Sequence, residues 1–188
     1  MRTDFLIVSG DGAIPYFSWG LAKALRSTGG NTHVIGAFWH FLKRRTPEGF
    51  ARYLEQRLSS FRERGASVQL VGYSFGAVLV HSVPHFSDSV LRQISRVTLI
   101  APAERAGFRF HPAGWWGGHG PDDQPTDPAI ANLARMGVSV QVIVGSDDAE
   151  QHAGRRLAEI DYVTLPGGHT LRADYAAIAT QLTRPLSR

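Results

Sequence analysis

Residues 68–76 read Val68-Gln69-Leu70-Val71-Gly72-Tyr73-Ser74-Phe75-Gly76, a short apolar run closed by a serine between glycines. Val68–Val71 has the length and β-branching of a buried strand, and Phe75–Val83 reads as the helix that follows it. A Gly-x-Ser-x-Gly between strand and helix is the pattern of a nucleophile elbow, a turn too tight for side chains beside the serine. Such a turn lifts the Ser74 hydroxyl above the sheet, at the positive end of the next helix.

The rest of the chain carries the same rhythm. Phe5–Val8, Thr32–Ala37, Val97–Ile100, Val138–Val144 and Ile160–Leu165 are brief, β-branched apolar runs, the signature of strands buried on both faces. Helical patterns lie between them, near Trp19–Ser27, Thr46–Arg64, Ala129–Met136 and Arg172–Leu182. In the clearest, Thr46 caps, Pro47 suits the first position, and Phe50, Tyr53, Leu54, Leu58 and Phe61 share one face. This alternation predicts a single α/β domain over residues 1–188. Its compact, mostly parallel sheet has about six strands, with helices on both faces. Ala101–Asp127 breaks the pattern: it is rich in Pro and Gly, lacks periodicity, and is expected to form an irregular, cap-like loop. It carries Trp115 and Trp116, which are costly to leave in water, so they are expected either to wall a substrate pocket or to pack on the core beneath the loop.

Composition narrows the classes. The 188 residues are 43% hydrophobic and 19% charged, which fits one globular domain and excludes a disordered tail or a coiled coil. The chain has no cysteine, which removes disulfides, thiolate catalysis and Cys-based metal sites. No apolar stretch approaches the roughly 20 residues of a bilayer span. The start does not resemble a signal peptide, so a cytoplasmic protein is expected as read, or a periplasmic one if an export signal has been removed. The net charge is +4 and unevenly spread. Lys43–Arg64 holds seven basic and three acidic residues, Ala101–Gly154 three basic and seven acidic. A basic balance favours anionic partners, among them an anionic membrane surface. Nucleic acid is not expected, because zinc-finger spacing, RNP-type aromatics and Lys/Arg tracts are all missing.

A serine nucleophile needs a base held by a third group, and in enzymes built on such an elbow the order is Ser, then Asp or Glu, then His. Val140–Val144 runs into Gly145-Ser146-Asp147-Asp148, and Ile160–Leu165 runs into Pro166-Gly167-Gly168-His169. These acids and this histidine therefore fall just past strand ends, on the edge where Ser74 sits. His169 is the expected base and Asp148 the expected acid, with Asp147 the alternative; an Asx turn or helix cap accounts for the other. The remaining histidines read as packing or surface residues. Amide donors for an oxyanion are expected from Phe75 and from the Asp11 or Gly12 N–H in Ser9-Gly10-Asp11-Gly12. Gly10 and Gly12 lack the third glycine of a dinucleotide turn, and the Walker Gly-Lys-Ser/Thr ending is absent. Neither a metal nor an organic cofactor is expected.

Taken together these blocks resemble the bacterial VirJ/AcvB virulence proteins, an α/β-hydrolase-like family. The resemblance lies in Ser9-Gly10-Asp11-Gly12, Phe38-Trp39 with Arg45-Thr46-Pro47-Glu48, Gly72-Tyr73-Ser74-Phe75-Gly76-Ala77, and Leu165-Pro166-Gly167-Gly168-His169 with Asp174-Tyr175, in that order. The sequence departs from the family at Val78 and Thr170, where Asp and His are common. The resemblance implies a single-domain α/β-hydrolase fold, export from the cytoplasm, and hydrolysis of aminoacylated phosphatidylglycerol. The expectation is thus a serine esterase acting on a small-molecule or lipid ester. Its rival is a non-catalytic hydrolase-like module that binds a partner at the same cleft, in secretion or virulence.

Overall fold

A computed structural model describes residues 3–62, 66–111, 120–149 and 158–185. Along the chain lie β1 (Thr3–Val8), α1 (Tyr16–Ser27), β2 (Thr32–Ile35), α2 (Ala37–Phe41), α3 (Pro47–Arg62) and β3 (Ser67–Tyr73). A 3-10 helix (Ser74–His81) follows, then α4 (Asp88–Leu91), β4 (Ile94–Ile100), the two-residue strands β5 (Arg105–Ala106) and β6 (Gln124–Pro125), and α5 (Thr126–Arg135). The chain continues through β7 (Val140–Gly145), β8 (Asp161–Leu165) and α6 (Tyr175–Thr183). Six strands form one sheet in the order β2-β1-β3-β4-β7-β8. Every pairing in it is parallel.

The sheet is apolar on both faces because alternate strand residues pack on different helices. Phe5 and Ile7 of β1 lie with Leu21 and Leu25 of α1 and with Ile178 and Leu182 of α6. Their neighbours Leu6 and Val8 point the other way, to Phe50, Leu54, Leu58 and Phe61 of α3 and to Ile130 and Leu133 of α5. The cap expected on α3 is present: the Gly49 N–H donates to Thr46 Oγ1 at 3.0 Å. That side-chain acceptor satisfies one of the amides a helix start leaves open.

Two elements differ from the expectation. The segment after Ser74 is a 3-10 helix rather than an α-helix. Its residues Gly76–Val80 are all buried and two of them, Val78 and Val80, are β-branched, so neither an amphipathic period nor propensity favours the α form. Within Ala101–Asp127, β5 and β6 pair antiparallel and α5 already starts at Thr126. The hydroxyl of Thr126 donates to the carbonyl of Ala103 at 2.6 Å, which draws the two ends of that segment together.

A polar chain crosses the sheet near the amino ends of its strands. Gln69 Nε2 donates to Thr98 Oγ1 at 3.2 Å, Thr98 to Gln141 Oε1 at 3.2 Å, and Gln141 Nε2 to Asp161 at 2.9 Å. Arg96, also buried, donates to the carbonyls of Gln181 and Arg184, where α6 leaves its last oxygens without partners. Burial lowers the pKa of this guanidinium, and Asp161 opposes the shift.

His40, at the end of α2, is half-buried against Phe41, Phe50 and Tyr53, with ring centroids 4.9, 5.0 and 4.3 Å away. Burial, then Arg45 and Arg57, hold its pKa down from 6.5 to about 4. The unfolded chain therefore takes up this proton first, and the associated stability is complete above pH 6.5 and lost as pH falls toward 4. Burial shifts His33 and His81 the same way. Urea midpoints measured across this window should fall less steeply with acid for His40→Phe than for the parent; parallel profiles would exclude His40 as the group responsible.

Candidate active site

β3 passes into Ser74 without a loop. Tyr73 is still extended, but Ser74 has φ 52°, in the left-handed region that side chains rarely occupy. The flanking glycines are required by contact. A Cβ on Gly72 would lie 2.7 Å from the Gly76 carbonyl oxygen, and one on Gly76 would collide with the Val8 carbonyl of β1. The turn is thus pressed directly onto the neighbouring strand, and the Gly10 loop after β1 lies against the Ser74 side chain.

The loops after β7 and β8 are tied to each other. The Ser146 N–H donates to the Leu165 carbonyl at 2.7 Å, and the Asp147 N–H to the Gly167 carbonyl at 3.0 Å. Gly167, at φ 105°, returns its own N–H to Ser146 Oγ at 3.1 Å. Two residues later His169 Nε2 stands 2.9 Å from Ser74 Oγ. These groups are 95 positions apart in sequence, and their meeting is a property of the parallel order of β3, β4, β7 and β8.

Both acids lie beside this histidine's loop. A side chain at Gly168 would come 3.8 Å from Asp148 Oδ2 and 3.9 Å from Asp147 Oδ2. Asp147 is exposed and accepts from the Ser146 hydroxyl at 3.0 Å, while Asp148 is half-buried. Among the described residues neither carboxylate hydrogen-bonds the imidazole. The structure brings Ser74 and His169 together and sets both carboxylates close by without choosing between them.

The cleft over Ser74 has a volume of about 240 Å³ and is lined by Asp11, Gly12, Ile14, Tyr16, Tyr73 and His169 among others. The amides of Asp11 and Gly12 donate to no acceptor among the described residues. Phe75 directly follows Ser74 at the start of the 3-10 helix, where amides lack intrahelical partners. Trp115 and Trp116 lie outside the described residues.

Sequence reasoning did not find the aromatic floor. Phe17 stacks on Tyr73 with ring centroids 3.9 Å apart, Tyr175 meets Phe17 edge-on at 5.4 Å, and Tyr73 lies 5.6 Å from the His169 ring. Gly20 leaves the space on α1 that the Tyr175 ring fills. Burial, then Tyr175 and Asp11, push the Tyr73 phenol up to about 12, so it stays protonated at neutral pH. The available signal was the Asp174-Tyr175 pair after His169; a floor built from three elements has no local pattern.

Comparisons with known proteins bear on fold and family. Among curated proteins nothing matches the sequence. Monoglyceride lipase from Saccharomyces cerevisiae is 12% identical with a TM-score of 0.61, over 97% of this chain and 86% of that one. An extracellular α/β-hydrolase from a Paenibacillus species is 12% identical with a TM-score of 0.59, over 97% and 98%. Phospholipase PlaB from Legionella pneumophila is 14% identical with a TM-score of 0.53, over 80% of this chain. Only 39% of PlaB is covered, so the chain spans well under half of that phospholipase. At these identities the likeness is one of fold, the α/β-hydrolase fold. The family model for the bacterial virulence protein VirJ matches residues 3–188, nearly the whole chain, and the chain belongs to that family.

Proposed function

We propose that this protein is a serine hydrolase that cleaves carboxylic esters through an acyl-enzyme. The observation that carries the reading is the 2.9 Å contact between His169 Nε2 and the Ser74 hydroxyl. It joins a backbone-strained serine to a base delivered from another strand end. Support also comes from the lipase and phospholipase that share the fold.

In this mechanism His169 Nε2 takes the Ser74 proton as Oγ attacks the ester carbonyl. The oxyanion accepts hydrogen bonds from the Phe75 N–H and from the Asp11 or Gly12 N–H; Asp11 and Gly12 line the cleft. Collapse of the tetrahedral intermediate expels the alcohol, which leaves with the proton held by His169. Water then enters by the same path in reverse and frees the acid. Asp148 orients the imidazole and stabilises its charged form; half-burial suits it to that role better than the solvated, Ser146-bonded Asp147. Within this class, the family resemblance points to aminoacylated phosphatidylglycerol as substrate.

Ser74→Ala is expected to lower ester hydrolysis on the order of 10³-fold while the melting curve stays in place. A variant with the parent's rate would end the serine mechanism. Release of lysine from lysyl-phosphatidylglycerol, lost in Ser74→Ala, would carry the finer reading, whereas turnover of simple esters alone would leave only the coarser one.

The acids separate by substitution. Asp148→Asn should cost on the order of 10²-fold in kcat, since an amide can hold the wrong imidazole tautomer, and Asp147→Asn should cost far less. Assays of the two single variants check this, and the opposite ranking assigns the role to Asp147.

A further inference from the structure

The described residues include six large hydrophobic side chains left exposed, and five of them stand together at one rim of the cleft. Tyr16 is 69% exposed, Trp39 64%, Trp19 52%, Ile14 49% and Leu42 48%; the sixth, Met136, is on α5. Two short segments supply the rim, both at the carboxyl edge of the sheet beside Ser74. One is the loop after β1 with the first turn of α1, where Tyr16 and Trp19 meet edge-on at 6.1 Å. The other is α2 and the residue beyond it, where Trp39 and Leu42 are three positions apart and so share a helix face. The indole N–H of Trp39 donates to the Ala13 carbonyl at 2.8 Å and binds the two segments into one surface. Ile14 and Tyr16 also line the cleft, so the apolar rim is continuous with it.

The charge of the molecule is concentrated in the same stretch. Residues 9–45 hold Lys23, Arg26, Lys43, Arg44 and Arg45 against the single acid Asp11. This stretch alone therefore accounts for the net +4, and the rest of the chain is balanced. Arg44 is engaged by Asp122 at 3.0 Å, and Arg45 Nε donates to the His40 carbonyl. Lys43 is exposed next to Leu42, and Lys23 is exposed one turn beyond Trp19.

An exposed patch of this kind marks an interaction surface, and its chemistry selects the partner. Indole and phenol rings have an apolar body and a polar edge, which suits the headgroup level of a bilayer. Cations beside them are drawn to anionic lipid. We infer that this rim docks the protein on an anionic membrane surface, with Trp19, Tyr16, Trp39 and Leu42 entering the interface and Lys23 and Lys43 at the headgroups. No helix among the described residues is long and apolar enough to cross a membrane, so the contact is with the surface. The inference deepens the esterase reading by naming where that cleft meets its substrate, but the docking itself does not require turnover.

Sedimentation with phosphatidylcholine vesicles, with and without phosphatidylserine, tests it on the Ser74→Ala protein, which leaves the lipid intact. Phosphatidylserine supplies anionic charge without being the implied substrate. The expected result is binding to the anionic vesicles that weakens in high salt. Trp19→Ser/Leu42→Ser and, separately, Lys23→Gln/Lys43→Gln should each weaken it by about tenfold or more. In the otherwise unaltered chain, neither pair should change hydrolysis of a short water-soluble ester. Absence of binding to anionic vesicles would overturn the proposal, as would binding that both pairs leave unchanged. A dimer in analytical ultracentrifugation, dissolved by Trp19→Ser/Leu42→Ser with no vesicle binding in any variant, would overturn it by assigning the face to a second copy. Vesicle binding as expected, together with an inert wild-type protein in every ester assay, would uphold the docking face and remove only the esterase reading.

Discussion

The approach of the elbow to β1 governs the rest of the site. Gly76 meets the Val8 and Ser9 carbonyls at a separation that admits no side chain, and Ser74 is held at φ 52° two residues earlier. A serine in that region costs roughly 1–3 kcal/mol and persists only where the surroundings fix it. Here β1 and β3 are paired along their full length, with Val8 opposite Gly72, so the strained residue sits at the end of a rigid ladder. The same contact sets two groups at once. It fixes the hydroxyl above the sheet and brings the loop holding the Asp11 and Gly12 amides against it.

Helix α6 links the two ends of the molecule. At its carboxyl end Arg96 donates to the Gln181 and Arg184 carbonyls from within the sheet. At its amino end the Asp174 side chain accepts from the Ala177 N–H at 3.0 Å. The first residue after that cap is Tyr175, which supports Phe17 and through it the Tyr73 ring beneath His169. An exposed imidazole is therefore supported by ring packing as well as through its own loop, on a helix that is held at both ends.

Much of this was legible in the sequence, and what was not has physical reasons. All six sheet strands fall within a few residues of the apolar runs; the inner four are mostly buried on both faces, which leaves an unambiguous mark. Thr46 and Pro47 placed the start of α3 through cap chemistry that depends only on neighbours in sequence. The Ser74–His169 meeting followed from strand ends sharing an edge. By contrast, the 3-10 form of the helix after Ser74 was not legible, because Gly76–Val80 are all buried and leave no amphipathic period to read. The aromatic floor comes from α1, β3 and α6, and the apolar rim from α1 and α2; each becomes visible only when the strand order places those elements side by side. Asp147 and Asp148 are adjacent, share one loop and flank Gly168 at nearly equal distance, so neither spacing nor proximity separates them.

The carboxyl edge of the sheet divides into two halves about Ser74. On the β7–β8 side stand His169, Asp147 and Asp148, the titratable groups of the site. On the β1–β2 side stand the amides of Asp11 and Gly12, then Ile14 and Tyr16, and beyond them the indoles and lysines of the rim. In the proposed acyl-enzyme mechanism, an ester whose carbonyl lies at Ser74, with its oxygen toward the Asp11 loop, has one side facing the imidazole and the other facing the rim. The leaving oxygen must lie toward His169 to receive its proton. If the rim rests on a bilayer as proposed, a lipid ester can reach the serine by rising only as far as its headgroup, while its tails stay among neighbouring lipids. A cleft of about 240 Å³ has then to accommodate the reacting group and its immediate substituents rather than a whole lipid.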